Sequence, residues 1–158
     1  MKLNSESDKI AFKHLLKNEC INQINQRINN AKSAIKLAQD AANSNDKSTA
    51  GDKFETSRAM GQIDTEMNSK QLQEAEQELL FLEKIDVNNL KDCIVLGSVF
   101  EMSDLLFFIA IGLGPIKIDS KKVMVVSAKS PFYENIKNKK AGELFEFMDK
   151  MDEIKMVF

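Results

Sequence analysis

The chain has 158 residues, 43% hydrophobic and 29% charged, with a net charge of −2. That suits one folded domain or two small ones and argues against gripping nucleic acid by bulk charge. Cys20, Cys93 and the single His14 are too few and too scattered for a zinc site or a disulfide framework.

The first residues are polar and contain no apolar signal core. No apolar run approaches the ~20 residues that span a bilayer. A reduced, cytoplasmic protein with no membrane association is expected. Residues 6–44 contain neither Gly nor Pro, which predicts one long helix. Ser5 or Ser7 can cap it, with Glu6 and Asp8 in its first turn. Ile21, Ile24, Ile28, Ala31, Ile35, Ala38 and Ala42 alternate by three and four residues, the spacing of a coiled-coil seam. Ahead of them, Ile10, Phe12, Leu15 and Leu16 form a broader apolar cluster, expected where the helix meets a globular body.

Turn formers dominate 43–51. A second helix is predicted over about 52–84, with Met60, Ile63, Met67, Ala75, Leu79 and Leu82 facing its partner and Gln71 filling a stutter. Gly61 lies inside it, at a cost of about 1 kcal/mol relative to Ala. The short connection favours an antiparallel hairpin within one chain, about 50 Å long. After residue 86 the period changes. Strands are predicted over 94–100 and 105–111, joined by a turn at 102–104, and over 123–127. Gly112, Gly114 and Pro115 read as breakers. A short helix is expected over 132–138, begun by Pro131, with closing strands at 144–147 and 154–158. The fold class is α+β: a hairpin over 1–86 with its tip at about 45–56, then a small, mostly antiparallel sheet domain over 87–158.

No nucleophile-and-base set can be assembled around His14, and Gly112-Leu113-Gly114-Pro115 lacks the features of a phosphate loop. The chain is therefore not expected to be an enzyme by itself. Asp52 and Glu55, beside Gly51 at the hairpin tip, admit two readings. They complement the positive end of the second helix, or they ligate a hard cation such as Mg²⁺ weakly, together with a partner that already holds metal.

A long antiparallel hairpin, a tip of the form Gly-Asp-x-x-Glu (Gly51, Asp52, Glu55) and a small sheet domain resemble the Gre transcript-cleavage factors of bacterial RNA polymerase. A second match is Ser130-Pro131, with Lys139 nine residues after the serine and a turn at Gly142-Glu143. The resemblance covers roughly residues 10–158. It implies an FKBP-like C-terminal domain docking on the rim of the polymerase secondary channel, with Ser130 and Pro131 in the docking segment. It also implies that Asp52 and Glu55 act in trans at the polymerase active site, sharing Mg²⁺ with the polymerase near the RNA 3′ end. A monomeric accessory factor is expected, with no stably bound cofactor. The sequence departs from the family after the tip: Thr56-Ser57-Arg58-Ala59 stands where asparagine, alanine, an acid and a tyrosine are usual, so Arg58 replaces an acid. The family's basic hairpin patch has only scattered counterparts in Lys32, Lys36, Lys47, Lys53 and Arg58. Two other functions stay open: a channel-binding regulator that does not cleave, and a coiled-coil adaptor or prolyl isomerase with an FKBP-like domain.

Overall fold

A computed structural model of the protein describes residues 3–45, 51–147 and 149–158. The elements run α1 (Glu6–Asn45), α2 (Gly51–Glu83), β1 (Val99–Met102), β2 (Leu105–Ala110), β3 (Gly114–Ile118), β4 (Lys121–Ser127), α3 (Pro131–Ile136), β5 (Leu144–Phe147), β6 (Lys150–Glu153) and β7 (Met156–Val157). The chain is α+β, a long helical hairpin followed by a small sheet and a short helix. It divides into two compact units, Asn22–Phe81 and a second made of Met1–Ile21 with Leu82–Phe158.

In the hairpin unit, α1 and α2 are held chiefly by burial. Ile24, Ile28 and Ala31 of α1 and Ala75 of α2 are buried. Arg27 pairs with Glu78 at 3.1 Å and Lys32 with Glu76 at 3.7 Å. Both pairs are exposed, so they set register more than they stabilise.

The expected partner face of α2 is wrong in its first half. Met60, Ile63 and Met67 are 62%, 56% and 58% exposed, and Gln71 is exposed as well. The less accessible positions are Gly61, Thr65, Asn68, Leu72, Ala75 and Leu79. They follow a 4-3 alternation without a stutter. Helix geometry explains the difference, because contacts at Ala75 and Leu79 carry the same frame back along α2 whatever residues occupy it. Thr65 fits the seam by donating its hydroxyl to the Gly61 carbonyl at 2.8 Å.

In the other unit, α1 begins with a reciprocal cap. The Ser5 hydroxyl accepts from the Asp8 N–H at 3.1 Å, and the Asp8 carboxylate accepts from the Ser5 N–H at 3.2 Å. The Ser5 bonds hold the Asp8 carboxyl below its usual range, the hydroxyl contributing most. Phe12, Leu16 and Cys20 of α1 are buried, as are Leu82, Ile85 and Val87. Leu15, expected in the apolar cluster, is 43% exposed.

The five-stranded sheet has the order β3-β4-β2-β1-β7, and β5-β6 form a separate two-stranded sheet. All pairings are antiparallel except β2 with β4. Central β2 is buried from Leu106 through Ala110, which is why it reads as an unbroken apolar run. One face of the sheet packs in a core with Ile136 of α3, and includes Phe100, Met102, Phe107 and Ile109. Phe100 stacks on Phe107 at 4.9 Å, Phe107 on Phe132 at 5.7 Å, and Phe132 meets Phe145 edge-on at 5.7 Å.

Three strand expectations need correction. Residues 94–98 are not strand: Gly97 has φ +80°, and the Ser98 hydroxyl turns back to donate to the Val95 carbonyl at 2.7 Å. Gly114 and Pro115 do not end the pattern; they open β3, an edge strand, where proline is tolerated. Lys150–Glu153 forms β6, and only Met156–Val157 of the expected last strand pairs with β1. The β1–β2 turn is Ser103-Asp104, with φ 53° and 57°, the positive pair that a two-residue hairpin demands.

Two substitutions test these packing arguments. At Gly61 an added Cβ meets nothing within 4 Å, so Gly61→Ala should raise stability by about 1 kcal/mol through helix propensity alone. Urea unfolding measures this, and a loss of stability would contradict the open seam. At Gly97 a Cβ would lie 2.7 Å from the Asp86 carbonyl oxygen and 2.9 Å from Ile85 Cγ2, while Gly142 (φ +88°) has open space. Gly97→Ala should therefore cost about 3 kcal/mol and Gly142→Ala about 1 to 2 kcal/mol, the excess reporting the clash.

Candidate functional site

Helix α2 starts at Gly51, so Asp52 and Glu55 belong to its first turn, three residues apart and on adjoining positions of one side. The Asp52 side chain, together with those of Lys47 and Lys53, lies outside the described residues. Glu55 is exposed. Acids in a first helical turn are ordinarily favoured by the unpaired N–H groups and the positive end of the helix, so a helix-start role suits the position. Mg²⁺ demands near-octahedral oxygen coordination, and two carboxylates from one helical turn supply a minority of it. Two carboxylates are by count too few for a closed Mg²⁺ cage. Among the described residues, no group of three or more His, Cys, Asp and Glu side chains could hold a metal.

Behind this turn, α1 and α2 leave a cleft of about 590 Å³ between residues 38–43 and 57–65. Ala38, Ala41, Ala42 and Gly61 make it wide because they carry so little side chain, and Arg58 and Asp64 contribute its polar walls. Of the other hairpin cations, Lys32 faces Glu76, while Lys36 is exposed.

Ser130 and Pro131 start α3. The Ser130 hydroxyl accepts from the Tyr133 N–H at 3.2 Å, and exposed Pro131 occupies the first helical turn. This is an N-cap followed by proline, two residues suited to a helix start. The downstream residues of the same motif clamp the chain. Glu143 accepts from the Lys140 N–H at 2.5 Å and pairs with Lys139 at 3.7 Å. Gly142 N–H donates to the Ile154 carbonyl at 2.8 Å, and Ile154 N–H to the Glu143 carbonyl at 3.0 Å.

The strongest local electrostatics lies elsewhere, at the carboxyl end of α2. Lys17 Nζ donates to the carbonyls of Glu83 (2.7 Å) and Ile85 (2.9 Å), and Lys13 Nζ to that of Asn89 (2.8 Å). Lys17 thus satisfies the carbonyl of the last residue of α2 and one just past it, while Lys13 holds the loop that follows. Lys13 is fully buried. Burial first, then the nearby Lys91 charge, pulls its ammonium down to about 8, with Asp86 opposing. Asp86 is drawn down to about 2, mainly by the Asn89 amide and then the Asn88 N–H. Cys20, beside the same stretch of α1, is pushed up to about 12 by burial, which leaves its thiol inert. The sequence signal was available: Lys13 and Lys17 stand one turn apart, interleaved with Phe12, Leu16 and Cys20. The cluster is a structural clasp, because every donor in it already has an acceptor.

No helix among the described residues is long and apolar enough to cross a membrane. No protein-family model matches the chain, and no curated protein matches it.

Lys13 makes a pH prediction with a definite sign. Its folded value of about 8 lies below the ordinary 10.5, so between these limits the unfolded chain binds the extra proton. This group therefore makes stability rise as pH increases from about 8 toward 10.5. Lys13→Met should remove that rise. Urea unfolding of both proteins across this window measures it, and parallel pH profiles would refute the assignment.

Proposed function

We propose that the chain is a Gre-like elongation factor of bacterial RNA polymerase, an accessory protein entering the secondary channel and promoting cleavage of backtracked transcripts. The supporting observation is the antiparallel hairpin, with Asp52 and Glu55 in the first turn of α2 directly after the connection from α1. A small sheet unit carrying Ser130-Pro131 follows it, in the order the resemblance requires.

On this reading the factor works in the cytoplasm, and Asp52 and Glu55 complete a coordination shell that the polymerase begins. The shared Mg²⁺, when bound, supplies activation of the attacking water. The carboxylates' own contribution is negative charge and orientation beside the RNA 3′ end. Ser130 and Pro131 belong to the segment offered to the channel rim. Ser130 acts through the geometry of α3, since its hydroxyl is engaged by Tyr133, and exposed Pro131 is available for contact.

A second reading, a channel-binding regulator that does not cleave, is favoured by Arg58, an exposed cation one turn beyond Glu55 where the family usually has no positive charge. The adaptor or isomerase reading has less support, because Phe100, Phe107, Phe132 and Phe145 engage one another.

The test uses stalled elongation complexes. Wild-type protein should accelerate 3′-end cleavage, and Asp52→Asn with Glu55→Gln should return it to the polymerase's own rate while binding to core polymerase persists. Binding without cleavage by the wild type would select the regulator. No binding at micromolar concentration would end both polymerase readings.

A further inference from the structure

The β3–β4 hairpin carries a charge arrangement that the rest of its unit avoids. Lys117 lies directly opposite Lys122 in the register, and both are exposed. Like charges facing each other across strands are destabilising. Several other lysines of the unit are matched with acids: Lys137 with Glu134 at 2.7 Å, Lys140 with Asp92 at 3.1 Å, and Lys155 with Asp104. Neither the Lys117 nor the Lys122 side chain has an ion pair or hydrogen bond among the described residues. The hairpin's one carboxylate, Asp119, belongs to its turn and has an interaction of its own.

The backbone adds a second element. The turn between Ile118 and Lys121 has two residues, so Ile118↔Lys121 is a hydrogen-bonded pair, and Ile116↔Val123 and Gly114↔Val125 follow by alternation. Lys117↔Lys122 and Pro115↔Met124 are the intervening pairs, whose side chains stand closest together. The N–H and C=O of Lys117 and the C=O of Pro115 therefore point away from β4. Because β3 ends the sheet, they face its open side. A shallow groove of about 370 Å³ is lined by Pro115, Ile116, Lys117, Ser120 and Lys122 of this hairpin.

We propose that this groove is a docking site for an extended acidic segment of a partner protein, laid along β3 as an added strand. The segment's carboxylates answer the Lys117–Lys122 pair, and its backbone exchanges hydrogen bonds with Lys117. Pro115, having no N–H, limits the added strand to a short stretch and sets its register. Edge lysines often serve only to keep other strands away. That role needs Lys117 alone, whereas Lys122 stands on the inner strand and concentrates charge on the same face. The proposal does not depend on the polymerase reading.

The test is fluorescence anisotropy with a labelled peptide of alternating Glu and Val, added to the full chain. Binding should be saturable and weaken with salt. Lys117→Gln with Lys122→Gln should weaken it about tenfold, while Lys84→Gln leaves it unchanged. Hydrogen exchange at the Lys117 amide should slow on peptide addition. Because the substitutions remove a repulsion between exposed groups, the variant should melt no lower than the wild type. Several outcomes would overturn the proposal: no binding at millimolar peptide, equal binding by the variant, or unaltered exchange at Lys117. Tighter binding of a uridine oligonucleotide, lost in the same variant, would assign the groove to nucleic acid instead. Self-association of the variant without peptide binding by the wild type would reduce the lysines to edge guards.

Discussion

The hairpin depends on one geometric constraint: two helices in contact must keep the period they start with. Ile24, Ile28 and Ala31 bury against α2 in a 4-3 alternation, and Ala75 and Leu79 answer in the same frame. From there back to Gly51 the helix has no freedom to rotate a better face inward without breaking what is already packed. Gly61, Thr65 and Asn68 therefore line the seam although they offer little to it. Met60, Ile63 and Met67 remain outside although each would bury well. A packed segment with larger apolar residues dictates the orientation of a poorer one. The distal seam is thin as a result, with a cleft between alanines and room beside Gly61.

That asymmetry explains what could be read from the residues alone. Both helices are legible to within a residue or two: α1 because its run has neither Gly nor Pro, and α2 because a long helix-favouring run between turn formers outweighs the single internal Gly61. The apolar positions of α2 were misassigned because hydrophobicity was followed through a change of step, where the partner helix permits none. In the sheet, Leu105–Ala110 was unambiguous, since a strand buried on both faces is apolar throughout. β3 was missed because Gly114-Pro115 is read as punctuation. A proline is compatible with a strand where its missing N–H would have pointed to an empty edge, and edge position is a property of topology that no local pattern carries. β6 was missed because an exposed strand such as Lys-Met-Asp-Glu has no apolar face to announce it.

The candidate site divides in the same way. Acids after a turn and before a helical run are readable as first-turn residues, and Asp52 and Glu55 stand there. Ser-Pro is readable as a cap, and the Ser130 hydroxyl is spent on it. The clasp of Lys13 and Lys17 was not found, because a lysine in a helix is ordinarily a solvated one. Its cause is long-range. The carboxyl end of α2 leaves carbonyls open, α2 has no basic residue in its own last turn, and Lys17 of α1, 66 positions earlier, supplies the missing charge, while Lys13 ties down the following loop at Asn89. Burying an ammonium is tolerable when it meets an acceptor at 2.8 Å, and costly enough to depress its proton affinity even so.

Charge placement then separates the residues that hold the fold from those that do not. In the sheet-containing unit, most cations close to an acid or a carbonyl serve as ties. Lys140 bridges to Asp92, Lys155 to Asp104, and Lys17 to the end of α2. Removing any of them would leave a partner behind. Lys117 and Lys122 have no such partner, and together they oppose the strand pairing on which they sit. The same distinction applies to the first turn of α2. Acids in a first turn ordinarily gain only modestly from the helix end, so stability alone gives little reason for two of them. Groups that a fold holds at a cost or to little benefit, on surfaces open to solvent, are where contact with another molecule is most economically sought. On that ground the two proposals concern separate points of attachment, opposite in charge and calling for different partners: a cation held by a larger assembly for the carboxylates of α2, and an acidic strand for the paired lysines of the β3 edge.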